Sequence, residues 1–433
     1  MSISRDGSLA ERKKGCTKMI SVGIDVSKGK STVCIMRPYG ELVRPVFEVM
    51  HTVAGQEAFI AELITLQQTE ELRIVMEATG IYSLPILMQL QQAGLFVSVI
   101  NPLVMKRYFG KNVRRAKTDK HDALHIANYG IDHWFRLTSY QPRQDVYNEL
   151  CLLGRQYAGY MTQKIQAKQN LLWLLERTMP GIATHLRCAP ADRGNNKLAD
   201  FAERYWHYDN ITAMSRDAFT DDFLTWAKEK GYHRSVSKAH AIYESACEGI
   251  PTLPSSAQST KLLVLEAIGV LKSISSTLTT ILTRMQELAR GLPEFSVVSQ
   301  MPGVGAVLAP RLIAEIGDIR RFRSASSLVA FAGIDAPPYQ SGTFTATRRS
   351  ISKRGSPLLR KTGYELMQCL KRLKPQDCPV YSYICKKEAE GKSKKAAKIA
   401  GLNKFLRIYY ARVKEIYAQL KPTSLFLDSS SPR

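Results

Sequence analysis

The stretch RRAKTDKHDALHIAN, residues 114–128, sets Asp119 and Asp122 three residues apart, just after a basic run and just inside a helical pattern. Ala123, Leu124, Ile126 and Ala127 can face a core from that helix. Residues at this spacing share a helix face, so the two carboxylates point the same way. Their repulsion is relieved when a divalent cation lies between them, and hard oxygen ligands suit magnesium or manganese better than zinc. The same segment also suits an ordinary solvated helix start, with Thr118 or Asp119 as N-cap. The chain on either side bears on the choice.

Upstream, MISVGIDV (19–26) is a short apolar run that contains Asp25 near its end and leads into Ser27, Lys28 and Gly29. Two further strands are predicted at 31–37 and 44–49, separated by a Pro38-Tyr39-Gly40 turn. A helix over 53–67, a strand over 72–77 ending on Glu77, a helix over about 81–93 and a strand over 95–100 complete an α/β alternation. Asp25 and Glu77 thus fall at the carboxyl ends of strands, where an α/β sheet presents its site. Read singly, Asp25 is equally a hairpin turn residue and Glu77 a helix-start acid favoured by the dipole.

The 433 residues suffice for two or three domains, and a hydrophobic share of 45% is a globular composition. A formal charge of +23 calls for a polyanionic partner, nucleic acid first, with a membrane surface as the competing reading. No apolar run reads as a membrane span and residues 1–20 lack the apolar centre of a signal peptide, so the expected location is a prokaryotic cytoplasm, beside the nucleoid. The eight cysteines form no CxxC pair, which excludes common zinc-ribbon spacings and gives no disulfide framework. HExxH, Walker A and GxGxxG motifs are absent, so nucleotide hydrolysis is not indicated.

Downstream, 145–185 and 258–291 carry apolar residues at threes and fours, a pattern for a coiled coil or long helical hairpin that packs within the chain or between two copies. The intervening 186–257 reads as a mixed, partly helical insertion. At 299–322, Pro302-Gly303-Val304-Gly305 resembles the turn of a helix-hairpin-helix, whose backbone N–H groups suit a phosphate without reading sequence. The loop PPYQSG (337–342) then places Ser341 beside a glycine, followed by Arg348, Arg349, Lys353, Arg354 and Arg360. A serine so ringed by cations can approach a phosphate, although a Ser-Gly pair is commonly only a turn. Ser350 and Ser352 lie close enough to compete for the role. Beyond residue 370, lysines from 386 to 398 interleave with tyrosines in a phosphate-binding pattern.

Taken in order, GIDVSK (23–28), EATGIY (77–82), NPLVMKRY (101–108) and KTDKHDA (117–123), then PGVG, AGI, PYQSG, ISKRG and LLR, resemble the DEDD transposases of insertion sequences. The N-terminal domain of that family is similar to the RuvC resolvase within the ribonuclease H-like fold. The resemblance implies that Asp25, Glu77, Asp119 and Asp122 hold magnesium and that Ser341 is the nucleophile. It also implies a bridge RNA that pairs with donor and target DNA. Lys28, Arg114, Arg115, Lys117, Gly303, Gly305 and the five basic residues after Ser341 are the expected nucleic-acid contacts.

The expected architecture is therefore a basic leader (1–18), a ribonuclease H-like α/β domain (19–140), a helical or coiled-coil region (145–295), a mainly α C-terminal transposase domain (296–420) and a tail (421–433). The expected activity is cutting and rejoining DNA through a serine-DNA intermediate, by a dimer or tetramer that needs no membrane. A metal-dependent nuclease or junction resolvase using water is the alternative, and a non-catalytic nucleic-acid binder is a third.

Overall fold

The computed structural model describes residues 19–78, 80–109, 119–142, 144–186, 196–336, 340–341, 344–345 and 350–420. Two compact units divide at Pro142 and Arg143.

In the first unit, β1 (Met19–Val26), β2 (Lys30–Met36), β3 (Phe47–Met50), β4 (Glu71–Glu77) and β5 (Val97–Ile100) form one mixed sheet in the order β3-β2-β1-β4-β5. β2 is antiparallel to both of its neighbours, β1 and β3, while β4 and β5 run parallel to β1. This is the expected ribonuclease H-like arrangement, and β1 is apolar because a central strand is covered on both faces. β3 begins later than the predicted residue 44 because Pro45 cannot donate to a ladder.

Helices α1 (Val53–Gln67) and α2 (Leu84–Gln92) cover one face, packing Phe59, Leu63, Ile86 and Leu90 on Ile20, Val22, Ile24, Ile74 and Met76. Thr52 starts α1 by accepting from the Gly55 N–H. α2 starts later than residue 81 because Pro85 takes its first turn, so 81–83 form a turn in which Ile81 and Tyr82 are exposed and Ser83 is buried. After β5, Asn101 Oδ1 accepts from Leu103 N at 2.8 Å and opens α3 (Pro102–Phe109). The opposite face of the sheet carries α4 (Asp119–Asp132), whose Ala123 and Ala127 pack on Cys34 and Met36, and whose Ile126 packs on Val75. Burial there pushes the Cys34 thiol up to about 11, so this cysteine is a core group and not a nucleophile.

The second unit is helical. α5 (Asp145–Thr178) is followed by α6 (Lys197–Tyr205), α7 (Arg216–Glu229), α8 (Val236–Glu248) and α9 (Gln258–Arg290), with single helical turns between them. α5 and α9 pair antiparallel within the chain. Tyr147, Leu150 and Tyr157 share a core with Leu278, Met285 and Ala289, while Leu171, Leu174 and Leu175 share another with Val264, Ile268 and Leu271. The second core is completed by Phe201, Phe219, Phe223 and Trp226, so 196–248 builds a bundle on the far end of the hairpin. Contrary to the sequence reading, α9 is long and apolar enough to cross a membrane; its Val264, Ala267, Ile268 and Leu271 are instead core positions against α5.

The first core continues through α10 (Phe295–Gln300), α11 (Gly305–Ile316), α12 (Ala325–Phe331), α13 (Pro357–Leu373), α14 (Pro379–Ala389) and α15 (Lys394–Gln419), with the short strands β6 (Gln340–Ser341) and β7 (Phe344–Thr345) falling between α12 and α13 along the chain. A buried carboxylate ties this core to the hairpin: Glu294 accepts from Tyr147 OH at 2.7 Å and from Tyr417 OH at 2.6 Å. Glu294→Ala removes the shared acceptor of two phenols, leaving them only their mutual 2.8 Å contact, and opens a void, so a loss of about 3 kcal/mol is expected in urea unfolding of the helical unit. Glu294→Gln keeps one acceptor and should lose about 1 kcal/mol. Equal, negligible losses in both would remove this tie from the account.

Candidate active site

Side-chain alternation decides where the first two acids point. Ile20, Val22 and Ile24 face α1 and α2, so Ser21, Gly23 and Asp25 face α4. On β4, Leu72, Ile74 and Met76 face α1 and α2, while Val75 and Glu77 face α4. The β1–β4 register pairs Ile24 with Met76, so Asp25 and Glu77 are the next residues along neighbouring parallel strands. Both are half-buried and both have interaction partners.

The direction of α4 brings in the other two. Ser21 Oγ donates to Ala127 O at 2.8 Å, and a Cβ built on Gly23 would lie 2.4 Å from Ala123 O. Moving along β1 towards Asp25 therefore moves back along α4 towards its start. Asp122 and Asp119 stand in that first turn, Asp122 half-buried and Asp119 exposed. The Lys30 ammonium, at the start of β2, is held above the usual lysine range first by its 2.7 Å hydrogen bond to Glu48 and further by the charge of Asp119. All four predicted acids thus belong to the same end of the same sheet face. Lys28 is exposed in the turn that follows Asp25.

The fold implies a divalent metal. Four carboxylates are the right donors for a hard cation. In this arrangement the fit is one of kind and placement: among the described residues, no three His, Cys, Asp or Glu side chains are close enough together to hold an ion. Arg114, Arg115 and Lys117 lie outside the described residues.

In the helical unit, Ser341 closes β6 and pairs with Phe344, so β6 and β7 are an antiparallel pair. The chain flanking this pair is anchored on both sides. Ser352 N donates to Asp335 O at 2.8 Å, and Ser352 Oγ donates to Asp335 Oδ1. Lys353 N reaches Gly333 O at 2.9 Å, and Arg360 Nη1 reaches Ala332 O at 2.9 Å. Lys353, exposed, is held at φ 54°, a left-handed conformation that a side chain disfavours. The sequence reading missed Asp335, whose partner is distant along the chain, and it offered Arg360 as a free phosphate contact although the guanidinium also holds the AGI loop. Arg354 is exposed; Arg348 and Arg349 lie outside the described residues.

The segment 295–316 is a helix, a turn and a helix, with Gly303 at φ 80° and Gly305 at φ 59°. Gly303 has a packing reason as well as a conformational one: a Cβ there would sit 2.9 Å from Leu370 Cδ2. Both glycines line a mainly apolar groove of about 1130 Å³, on whose wall Arg311 pairs with Glu365 at 2.7 Å.

A ribonuclease H-like sheet carrying acids at its strand ends, on a strongly basic chain, defines an enzyme of nucleic-acid phosphodiester chemistry. Residues 22–180 match the DEDD transposase family of IS110, and residues 296–382 match the IS116/IS110/IS902 transposase family. These two regions together span more than half of the chain, which belongs to the IS116/IS110/IS902 family of transposases and is a DNA transposase/recombinase. A pilin gene-inverting protein of Moraxella lacunata is 23% identical over 400 residues, covering 91% of this chain and 95% of that one. The 44.8 kDa protein of insertion element IS116 from Streptomyces clavuligerus is 24% identical over 409 residues, covering 94% and 96%. The RuvC structure of Thermus thermophilus is 16% identical, with a TM-score of 0.22 over 28% of this chain and 98% of that one.

Proposed function

We propose that this transposase cuts and rejoins DNA at defined sites through a serine-DNA intermediate. The observation that carries the reading is the convergence of Asp25, Glu77, Asp119 and Asp122 on one end of one sheet face, in a chain whose second family match contains Ser341. A bound magnesium would draw on those carboxylates, which would have to close on it from their present spacing, and would supply charge neutralisation at the phosphate. Ser341 Oγ bonds to phosphorus as the DNA P–O bond breaks; the serine gives up its proton and the departing DNA oxygen gains one as a free hydroxyl. The phosphodiester bond energy is kept in the adduct, and the reverse attack by a DNA hydroxyl rejoins a strand. Lys353 and Arg354 sit where they can meet backbone phosphates, as Lys28 does beside the acids. The backbone N–H groups around Gly303 and Gly305 add a contact that reads no sequence.

The two Moraxella relatives are named for inverting a gene. Inversion by cutting and rejoining is suited to an enzyme that holds its strand ends covalently, which favours serine attack over water attack. A bridge RNA as the source of sequence choice agrees with the charge of +23, as does a dimer or tetramer on DNA, since exchange of several strands needs several serines. The acids and Ser341 lie in separate units, and the reading gives each a part in the same reaction.

The test is denaturing electrophoresis of the full chain, made together with its element's flanking sequence and incubated with labelled element-end DNA. A protein-DNA adduct is expected, absent in Ser341→Ala and present in Ser352→Ala. Cleavage without any adduct would assign the site to water attack and the chain to the nucleases.

A further inference from the structure

Beside the acids, the first unit exposes apolar side chains at a place where a soluble sheet domain gains nothing from them. β4 and β5 are parallel, with Glu77 paired to Ile100, and Ala78 N donates to Ile100 O at 3.0 Å. The two turns that leave these strand ends are therefore neighbours. The first carries Ile81 and Tyr82, exposed to 71% and 43%; the second runs into the first turn of α3, with Leu103 and Val104 exposed to 50% and 43%. Both turns are held in place. Ser83 Oγ donates to Gly80 O at 3.1 Å, while Leu103 N and Val104 N reach Asn101 at 2.8 Å each. On α3, directly after Val104 and the buried Met105, come exposed Lys106 and Arg107.

Charge and shape run in one sequence across the sheet: Asp25, Glu77, the apolar turns, then two cations. A nucleic acid strand has the complementary sequence, with a phosphate at the acids, bases beside it and a further phosphate beyond. Paired bases bury their faces in their own stack and have nothing to offer Ile81 or Tyr82. Unstacked bases do, and apolar side chains set against an opened step are an effective way to hold it open.

Resting on the proposed function of the acids, we propose that Ile81, Tyr82, Leu103 and Val104 form an apolar rim that takes the unstacked DNA bases flanking the phosphate to be cut. Lys106 and Arg107 receive the backbone leaving that rim. The enzyme thereby acts on a locally opened step, and Tyr82 is a positioning residue for the strand.

The experiment uses the full chain with its element flanks and DNA carrying a fluorescent adenine analogue, 2-aminopurine, next to the cut site. In the Asp25→Asn background, which holds DNA uncut, binding should brighten the analogue; adding Tyr82→Ala with Ile81→Ala should remove that rise. With Asp25 intact, the same pair should slow cleavage of fully paired DNA roughly tenfold to hundredfold, as loss of one or two stacking contacts implies. Mismatched DNA, already unpaired at that step, should restore most of the rate. Equal losses on paired and mismatched DNA would overturn the inference, as would a change of oligomeric state on gel filtration, which would assign the rim to a second copy. Failure of the acid-site reading is separately visible as cleavage by Asp25→Asn, whatever the fluorescence does.

Discussion

Asp25→Asn is expected to slow strand cleavage on the order of a thousandfold while leaving the fold and DNA retention nearly unchanged. The substitution preserves size and one acceptor oxygen at the end of β1 but removes a charge from the sheet face it shares with Glu77 and α4. A carboxylate that helps neutralise charge at a reacting phosphate contributes several kcal/mol to the barrier, and about 4 kcal/mol corresponds to that rate loss. Binding rests mainly on the cationic surface of a chain with net charge +23, so losing one negative charge should, if anything, tighten it. Nicking of labelled DNA, gel retention and thermal unfolding on one preparation check all three quantities. Cleavage within tenfold of the unaltered protein would dismiss Asp25 from the chemistry; loss of cleavage together with folding would make it a structural residue.

How much of this could be read beforehand differs by element. β1 and β4 were legible because strands covered on both faces must be apolar along their length, so an acid at the end of each stands out. Asp119 and Asp122 were legible as a pair from helical spacing. Their direction was not, because it depends on Gly23 meeting Ala123 and Ala127 across about a hundred residues of chain. The glycine in GIDV was the available signal, a residue with no side chain where two backbones come together. The hairpin of α5 and α9 illustrates a different limit: apolar residues at threes and fours pack equally well within a chain or between chains, and only the shared cores settle the choice. The bundle at 196–248 was hidden because short helices broken by turns spread their aromatic core residues too irregularly for a periodic reading. Asp335 and Ser352 pair through the fold, and nothing local marks either one.

The close approach at Gly23 yields the second large effect. A Cβ on this residue would stand 2.3 Å from Ala127 N and 2.4 Å from Ala123 O, both backbone atoms of α4. Neither can rotate away as a side-chain tip does, so Gly23→Ala must drive α4 off the sheet by about 1 Å to reach ordinary contact, at a cost near or above the usual 1–3 kcal/mol of overpacking. On the proposed role of Asp119 and Asp122 the damage extends to chemistry, because α4 carries both in its first turn. A displacement of about 1 Å at a reacting centre is enough for a loss on the order of a hundredfold. Gly159→Ala is the matched control. It lies inside α5 with nothing within 4 Å of the added carbon, so the gain in helix propensity should raise stability by up to about 1 kcal/mol and leave cleavage alone. Unfolding curves and cleavage rates for the two variants would separate a general intolerance of alanine from a specific α4–β1 contact. If Gly23→Ala melts and cuts like the unaltered protein, the positioning of Asp119 and Asp122 by that contact is wrong, and with it the physical route by which β1 and α4 assemble the site.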